Sequence, residues 1–85
     1  MNLKEGMVLY FVRKDRTFNT LKRVATVRGN SLIVCGYRNG EHRFRMTIHK
    51  HEFGIWYARI QADGYQLEGT QQTQSSTVVK LTLKE

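Results

Sequence analysis

Short runs rich in β-branched and aromatic residues recur along this chain, separated by Gly, Asn and Asp and with no proline anywhere. That is the punctuation of strands joined by tight turns. Met7 to Arg13 is mostly apolar and predicts a well-buried first strand, entered from Lys4-Glu5-Gly6 and left through Lys14-Asp15-Arg16. Leu21 to Arg28 and Ser31 to Tyr37 predict a second and a third strand, joined by Gly29-Asn30, residues that tolerate the positive φ of a two-residue hairpin turn. Asn39-Gly40 is the strongest local signal, because it supplies both left-handed positions of a type I′ turn. It pairs the third strand antiparallel with a fourth.

The fourth strand alternates: His42, Phe44, Met46 and Ile48 fall on one face, Glu41, Arg43, Arg45 and Thr47 on the other, so its arginines are expected to meet water or a ligand. Ile48 to Gly54 loses the alternation and predicts a loop or a single helical turn. Ile55 to Ala62 and Tyr65 to Glu68 are two more apolar-rich runs around Asp63-Gly64, a hairpin signal. Gly69 to Thr77 is uncharged Gln, Ser and Thr after its glycine, which predicts a mobile polar loop. Val79, Leu81 and Leu83 alternate with Lys80, Thr82 and Lys84 as a half-exposed closing strand. No segment repeats.

Six or seven short strands in 85 residues leave few architectures, since a flat sheet exposes an apolar face and two edges. Curling into a small barrel removes both problems. The opening Leu3-Lys4-Glu5-Gly6-Met7-Val8 before an apolar strand, then a basic loop, a meander of hairpins and a brief turn, resembles SH3-like barrels of the KOW and Tudor kind over about the first fifty-five residues. The expected fold is therefore an all-β, SH3-like β-barrel of five to seven antiparallel strands with at most one short helical turn. Lys4-Glu5-Gly6-Met7 together with Arg43-Phe44-Arg45 also resembles small accessory or early proteins of tailed bacteriophages. That resemblance implies action in the bacterial cytoplasm and carries over no catalytic residues.

Length limits the chain to one domain with a thin core: at this size roughly 60 to 65% of the unfolded surface can be buried. Hydrophobic content of 40% with nine aromatics marks a globular chain. The lone Cys35 cannot form an internal disulfide; it sits in the apolar run Leu32-Ile33-Val34-Cys35, where a small buried hydrophobe suits a reducing cytosol. No apolar stretch approaches the length of a bilayer span, and Lys4-Glu5 interrupts any signal-like segment. A soluble, cytoplasmic monomer or small homo-oligomer is expected.

Charge then gives the fold a direction. Eleven of the fourteen lysines and arginines lie between Arg13 and Arg59, opposed only by Asp15, Glu41 and Glu52, a surplus of eight. The segments before and after it carry zero and minus one, which recovers the net charge of +7. Such a field concentrates polyanions, and nucleic acid is the first partner to weigh. Arg43 and Arg45, two apart on one strand face, are expected roughly 6 to 7 Å apart, near the phosphate spacing of a nucleic acid strand. Arg28 and Arg38 at neighbouring turns, Lys22 and Arg23 at the start of the second strand, and Arg13, Lys14 and Arg16 in a loop are candidates to join them, with Lys50 and Arg59 beyond. Arginine, which outnumbers lysine eight to six, is the better bidentate phosphate ligand. Tyr37, Trp56 and Tyr57 lie beside this charge as candidate stacking faces, although aromatic residues in such a chain more often form core. On a strand Trp56 and Tyr57 point to opposite sides, which turns one outward.

The other chemistries have less to stand on. His42, His49, His51 and Glu52 are metal-ligand types, but not in the two close pairs of a structural zinc site, so no metal or cofactor is expected. Protonation of the histidines at mildly acidic pH would only add to the positive field. The carboxylates lie singly in turns with no pair suited to acid and base roles, and neither a nucleophile motif nor a phosphate loop is present. The expected function is low-specificity binding of nucleic acid, duplex DNA before RNA, through phosphates. The rivals are a protein-interaction module docking on an acidic partner, an ordinary solvated face, and a structural subunit pairing through an edge strand such as Val79 to Leu83.

Overall fold

The computed structural model describes residues 2–14 and 19–72. Five strands, β1 (Met7–Lys14), β2 (Thr20–Arg28), β3 (Ser31–Arg38), β4 (Glu41–His49) and β5 (Gln66–Gln72), form one antiparallel sheet in the order β4-β3-β2-β1-β5. Between β4 and β5 run a 3₁₀ turn (Lys50–Glu52) and the helix α1 (Phe53–Ala62). The fold is all-β with one short helix and is compatible with a small barrel. Arg16 and the expected closing strand Val79 to Leu83 lie outside the described residues.

Strand parity follows from what each strand buries. Leu9 and Phe11 of β1, Ala25 and Val27 of β2, and Leu32 and Val34 of β3 are fully buried on one face of the sheet, which we call the inner face. Phe53, Ile60 and Tyr65 close it from the helical side. Removing a side chain such as Leu9 or Phe11 from water contributes about 1.5–3 kcal/mol each. The outer face carries Val8, Tyr10 and Val12, then Lys22 and Val24, then Ile33, Cys35 and Tyr37. Cys35 is a half-buried free thiol on this face rather than a core residue, because Leu32 and Val34 hold the inward parity.

The turns satisfy their backbone requirements. Asn39 (φ 50°) and Gly40 (φ 85°) both adopt the left-handed region, as a type I′ turn demands. The Asn39 side chain also ties this turn to β2: its Oδ1 accepts from the Thr20 N–H (2.8 Å) and its Nδ2 donates to Asn19 Oδ1 (2.8 Å). At the opposite end Gly29 (φ 58°) donates its N–H to Glu5 Oε1 at 2.6 Å. Lys50 donates its N–H to the Asn30 carbonyl (2.7 Å), anchoring the 3₁₀ turn beside the β2–β3 turn.

Four sequence expectations are corrected. Ile55 to Ala62 is helix, not strand. Phe53, Trp56, Tyr57 and Ile60 recur at i, i+3, i+4 and i+7, the period of a helix face, and they present one apolar stripe to the sheet. Asp63-Gly64 accordingly ends a helix instead of turning a hairpin: Gly64 (φ 102°) donates to the Gln61 carbonyl (3.0 Å) and Tyr65 to that of Ile60 (2.9 Å), the paired bonds of a Schellman motif. Gly69 to Gln72, expected as the start of a polar loop, pair with β1 as part of β5; residues 73–77 lie outside the described residues. Finally, the register shifts between Gly36 and Tyr37. Gly36 opposes Phe44 but Tyr37 opposes His42, so one extra residue, Arg43, separates them and His42 leaves the face of Phe44. A second shift lies between Tyr10 and Phe11 against β5. Bulges of this kind bend a sheet and increase its twist.

Candidate nucleic-acid interface

Five of the described cations gather at one end of the sheet rather than on one face. Arg13, Leu21, Arg38 and Glu41 stand in one cross-strand row over β1 to β4, and Val12, Lys22, Tyr37 and His42 in the next. Arg23 and Arg43 lie alongside, so Arg13, Lys22, Arg23, Arg38 and Arg43 share the end that carries the β3–β4 turn. β1 leaves through Lys14 at this same end, opposite Thr20. Arg45 follows Arg43 on exposed β4, opposite Cys35.

The two faces divide this set. Lys22 and Arg45 are on the outer face, while Arg13, Arg23 and Arg38 have inner-face parity. Arg23 is the most constrained: its guanidinium lies 4.7 Å from the Phe44 ring centroid and 4.8 Å from that of Tyr65. Arg13 approaches the same Tyr65 ring at 5.8 Å. Each contact of this type is worth about 0.5–1 kcal/mol at an exposed site. The arginines therefore cover the open end of the core with their positive charge intact. Gly36 makes the arrangement feasible, because the Phe44 ring occupies the place where a Cβ would stand.

Among the described residues the one ion pair is Arg43 Nη1 to Glu41 Oε1, 3.1 Å. Both side chains are more than half exposed, so solvent screening leaves the pair worth no more than about 1 kcal/mol. It would yield readily to a phosphate.

Several predicted site residues lie elsewhere. Arg28 opposes Ser31, seven residues before Arg38 along β3, roughly 23 Å away at the rise of an extended strand. The neighbouring turns of the sequence are thus opposite ends of the sheet, and Arg28 and Lys50 do not join the cluster. Arg59 is exposed on α1 beside a cleft of about 330 Å³ that it lines with Met46, Ile48, Glu52, Ile55 and Trp56. Trp56 and Tyr57 are both half-buried and meet Phe11 edge-on at 5.3 and 5.4 Å between ring centroids. On a helix neighbouring residues are not on opposite sides, so neither is turned fully outward.

Two aromatic residues escaped the sequence reading. Tyr65 is buried and carries the two arginine contacts. Tyr10 lies on the outer face, its hydroxyl donating to Gln71 Oε1 at 2.9 Å. The parity of β1 contained the second signal: once Leu9 and Phe11 are inward, Tyr10 is outward. Tyr37 keeps its predicted place at the basic end and packs edge-on against His42, 5.4 Å between centroids.

The described residues hold no cluster of three or more His, Cys, Asp or Glu that could bind a metal ion, and no described helix is long and apolar enough to cross a membrane. No protein-family model, no curated protein and no solved structure matches the chain.

Proposed function

We propose that this chain is a small nucleic-acid-binding protein, a binding module rather than an enzyme, that holds double-stranded DNA through its phosphates with little sequence preference. The observation that carries this reading is the convergence of Arg13, Lys22, Arg23, Arg38 and Arg43 on one end of the sheet, with Glu41 as the only carboxylate paired with them among the described residues. Five cations from four strands make a rim that can follow a polyanion. The Arg-rich composition suits phosphate oxygens, which the guanidinium fork meets two at a time. The phage resemblance extends the proposal to a host-takeover factor in a bacterial cytoplasm.

Binding to a mixed-sequence duplex should weaken steeply with salt, the logarithm of affinity falling by about 0.9 per phosphate neutralised for each decade of salt. Replacing Arg38 and Arg43 together by Ala should flatten that slope by about 2 and weaken binding on all sequences alike. Fluorescence anisotropy at two or more salt concentrations measures both. A salt-independent affinity, or a double variant that binds as well as the parent, rules the mechanism out.

A second reading rests on Met46 and Ile55, which are 40% and 65% exposed and flank the cleft beside Arg59 along β4, an edge of the sheet. A protein docking there would use chiefly the apolar contact, since Glu52 of the same cleft offsets the charge of Arg59. Purification separates the two: nucleic acid raises the ratio of absorbance at 260 and 280 nm and is lost on nuclease treatment, whereas a protein partner co-purifies in stoichiometric amount.

A further inference from the structure

The outer face of the sheet holds a groove of about 580 Å³, within the roughly 300–1,000 Å³ of small-molecule sites. Tyr10 of β1 and Tyr37 of β3 stand on its two sides, Val24 and Lys22 of β2 lie between them, and Thr20 with the Asn39-Gly40 turn closes one end. Register fixes the spacing. Tyr10 opposes Val24 and Tyr37 opposes Lys22, so the tyrosines are two strands apart and two residues out of step, about 12 Å between Cα atoms. Their side chains are half-buried, leaving ring surface toward the groove.

Among the described residues the lining contains no carboxylate. Lys22 brings a cation into the groove, and Arg45, opposite Cys35, stands on the same face. The closed end is the basic end, where Arg38 and Arg43 border the β3–β4 turn. Aromatic walls, a floor of Val24 and Lys22, and cations that continue out of the groove are complementary to one ligand chemistry: a planar base attached to a phosphate backbone. Stacking on tyrosine needs an open π-face, which a base inside an intact duplex does not offer.

We infer that this groove takes an unpaired nucleobase, stacked against Tyr37 and Tyr10, while its backbone runs on to the basic end. The protein therefore prefers DNA with a single-stranded end to a blunt duplex. This rests on the nucleic-acid reading above and adds to it a second, chemically different contact. The π-faces of all four bases suit such a groove, so the overhang's sequence matters little.

The test compares a blunt duplex with the same duplex carrying a short single-stranded overhang, by fluorescence anisotropy at one fixed salt concentration. The overhang should bind about 5- to 100-fold tighter, the worth of one stacked base. In Tyr37→Ala, and in Tyr10→Ala, the ratio of the two affinities should fall toward one; Tyr37→Trp should restore it, with new indole fluorescence quenched by the overhang. Circular dichroism of each variant guards against loss of fold, and Tyr37→Trp keeps the test decisive where Tyr37→Ala does not fold. Equal affinity for the two duplexes in the parent protein, with salt-sensitive binding intact, overturns this inference alone, as does an overhang preference that survives both alanine variants. Failure to bind either DNA overturns the nucleic-acid reading and this inference with it.

Discussion

Gly36 holds open the space on which the basic end is built. The Phe44 ring fills the position of its missing Cβ, and Arg23 lies against that same ring and against Tyr65. A methyl group at residue 36 must push the Phe44 ring off the sheet and with it the stacking surface of Arg23. Gly36→Ala should therefore destabilise the fold by about 1–3 kcal/mol, the usual cost of overpacking, measured by urea denaturation. An unchanged denaturation midpoint would show that the ring moves aside freely. Nothing in the local pattern announces this demand, because a glycine inside a strand run equally fits a bulge or a bend. What distinguishes Gly36 is its cross-strand partner, which depends on register.

At the scale of elements, α1 is the clearest departure from expectation. Ile55 to Ala62 contains isoleucine, tryptophan and tyrosine, strand-favouring residues, yet the spacing of Phe53, Trp56, Tyr57 and Ile60 is helical and Gly64 stands where a helix ends. Intrinsic β-preference is weak and packing overrides it. The stripe is needed because the inner face of a five-stranded sheet must be covered. Ile60, buried on the last turn before the Schellman motif, links α1 to the core. Ile60→Ala should cost about 2–5 kcal/mol in the same denaturation measurement, while Ile55→Ala, on the exposed side of the helix, should cost little. The four earlier strands were legible with near-correct ends, since the charged run from Lys14 ends the first and two short turns, Gly29-Asn30 and Asn39-Gly40, separate the other three; the helix shared its turn signal, Asp-Gly, with a hairpin.

At the scale of the whole molecule, the described cations at the strand ends fall into two poles. One end of the sheet gathers Arg13, Lys22, Arg23, Arg38 and Arg43, and the other holds Arg28 beside the turn tied to Glu5. A separation of roughly 23 Å exceeds the Debye length of about 8 Å at physiological ionic strength, so the poles act independently. Arg38→Ala should thus weaken DNA binding severalfold more than Arg28→Ala, read as the ratio of the two dissociation constants in one buffer. Equal losses would mean that the interface spans the length of the sheet. The residue types of the candidate site were legible in the sequence, and so was its paired-strand setting. Its location was not: Arg28 and Arg38 flank adjacent turns along the chain, and adjacent hairpin turns necessarily fall at opposite ends of an antiparallel sheet.

The sequence by itself determined the all-β class, the first four strands, the type of the β3–β4 turn and the regional excess of positive charge, because each depends on residues near one another in the chain. Tertiary structure alone decided that α1 covers the inner face, that Arg13 and Arg23 meet on Tyr65, that Trp56 and Tyr57 pack against Phe11, and that Tyr10 and Tyr37 border one groove. These depend on register and on which face must be buried. A shift of one residue exchanges the two faces of a strand, and only the packed core, with Leu9, Phe11, Val27 and Leu32 inward, selects among the possibilities.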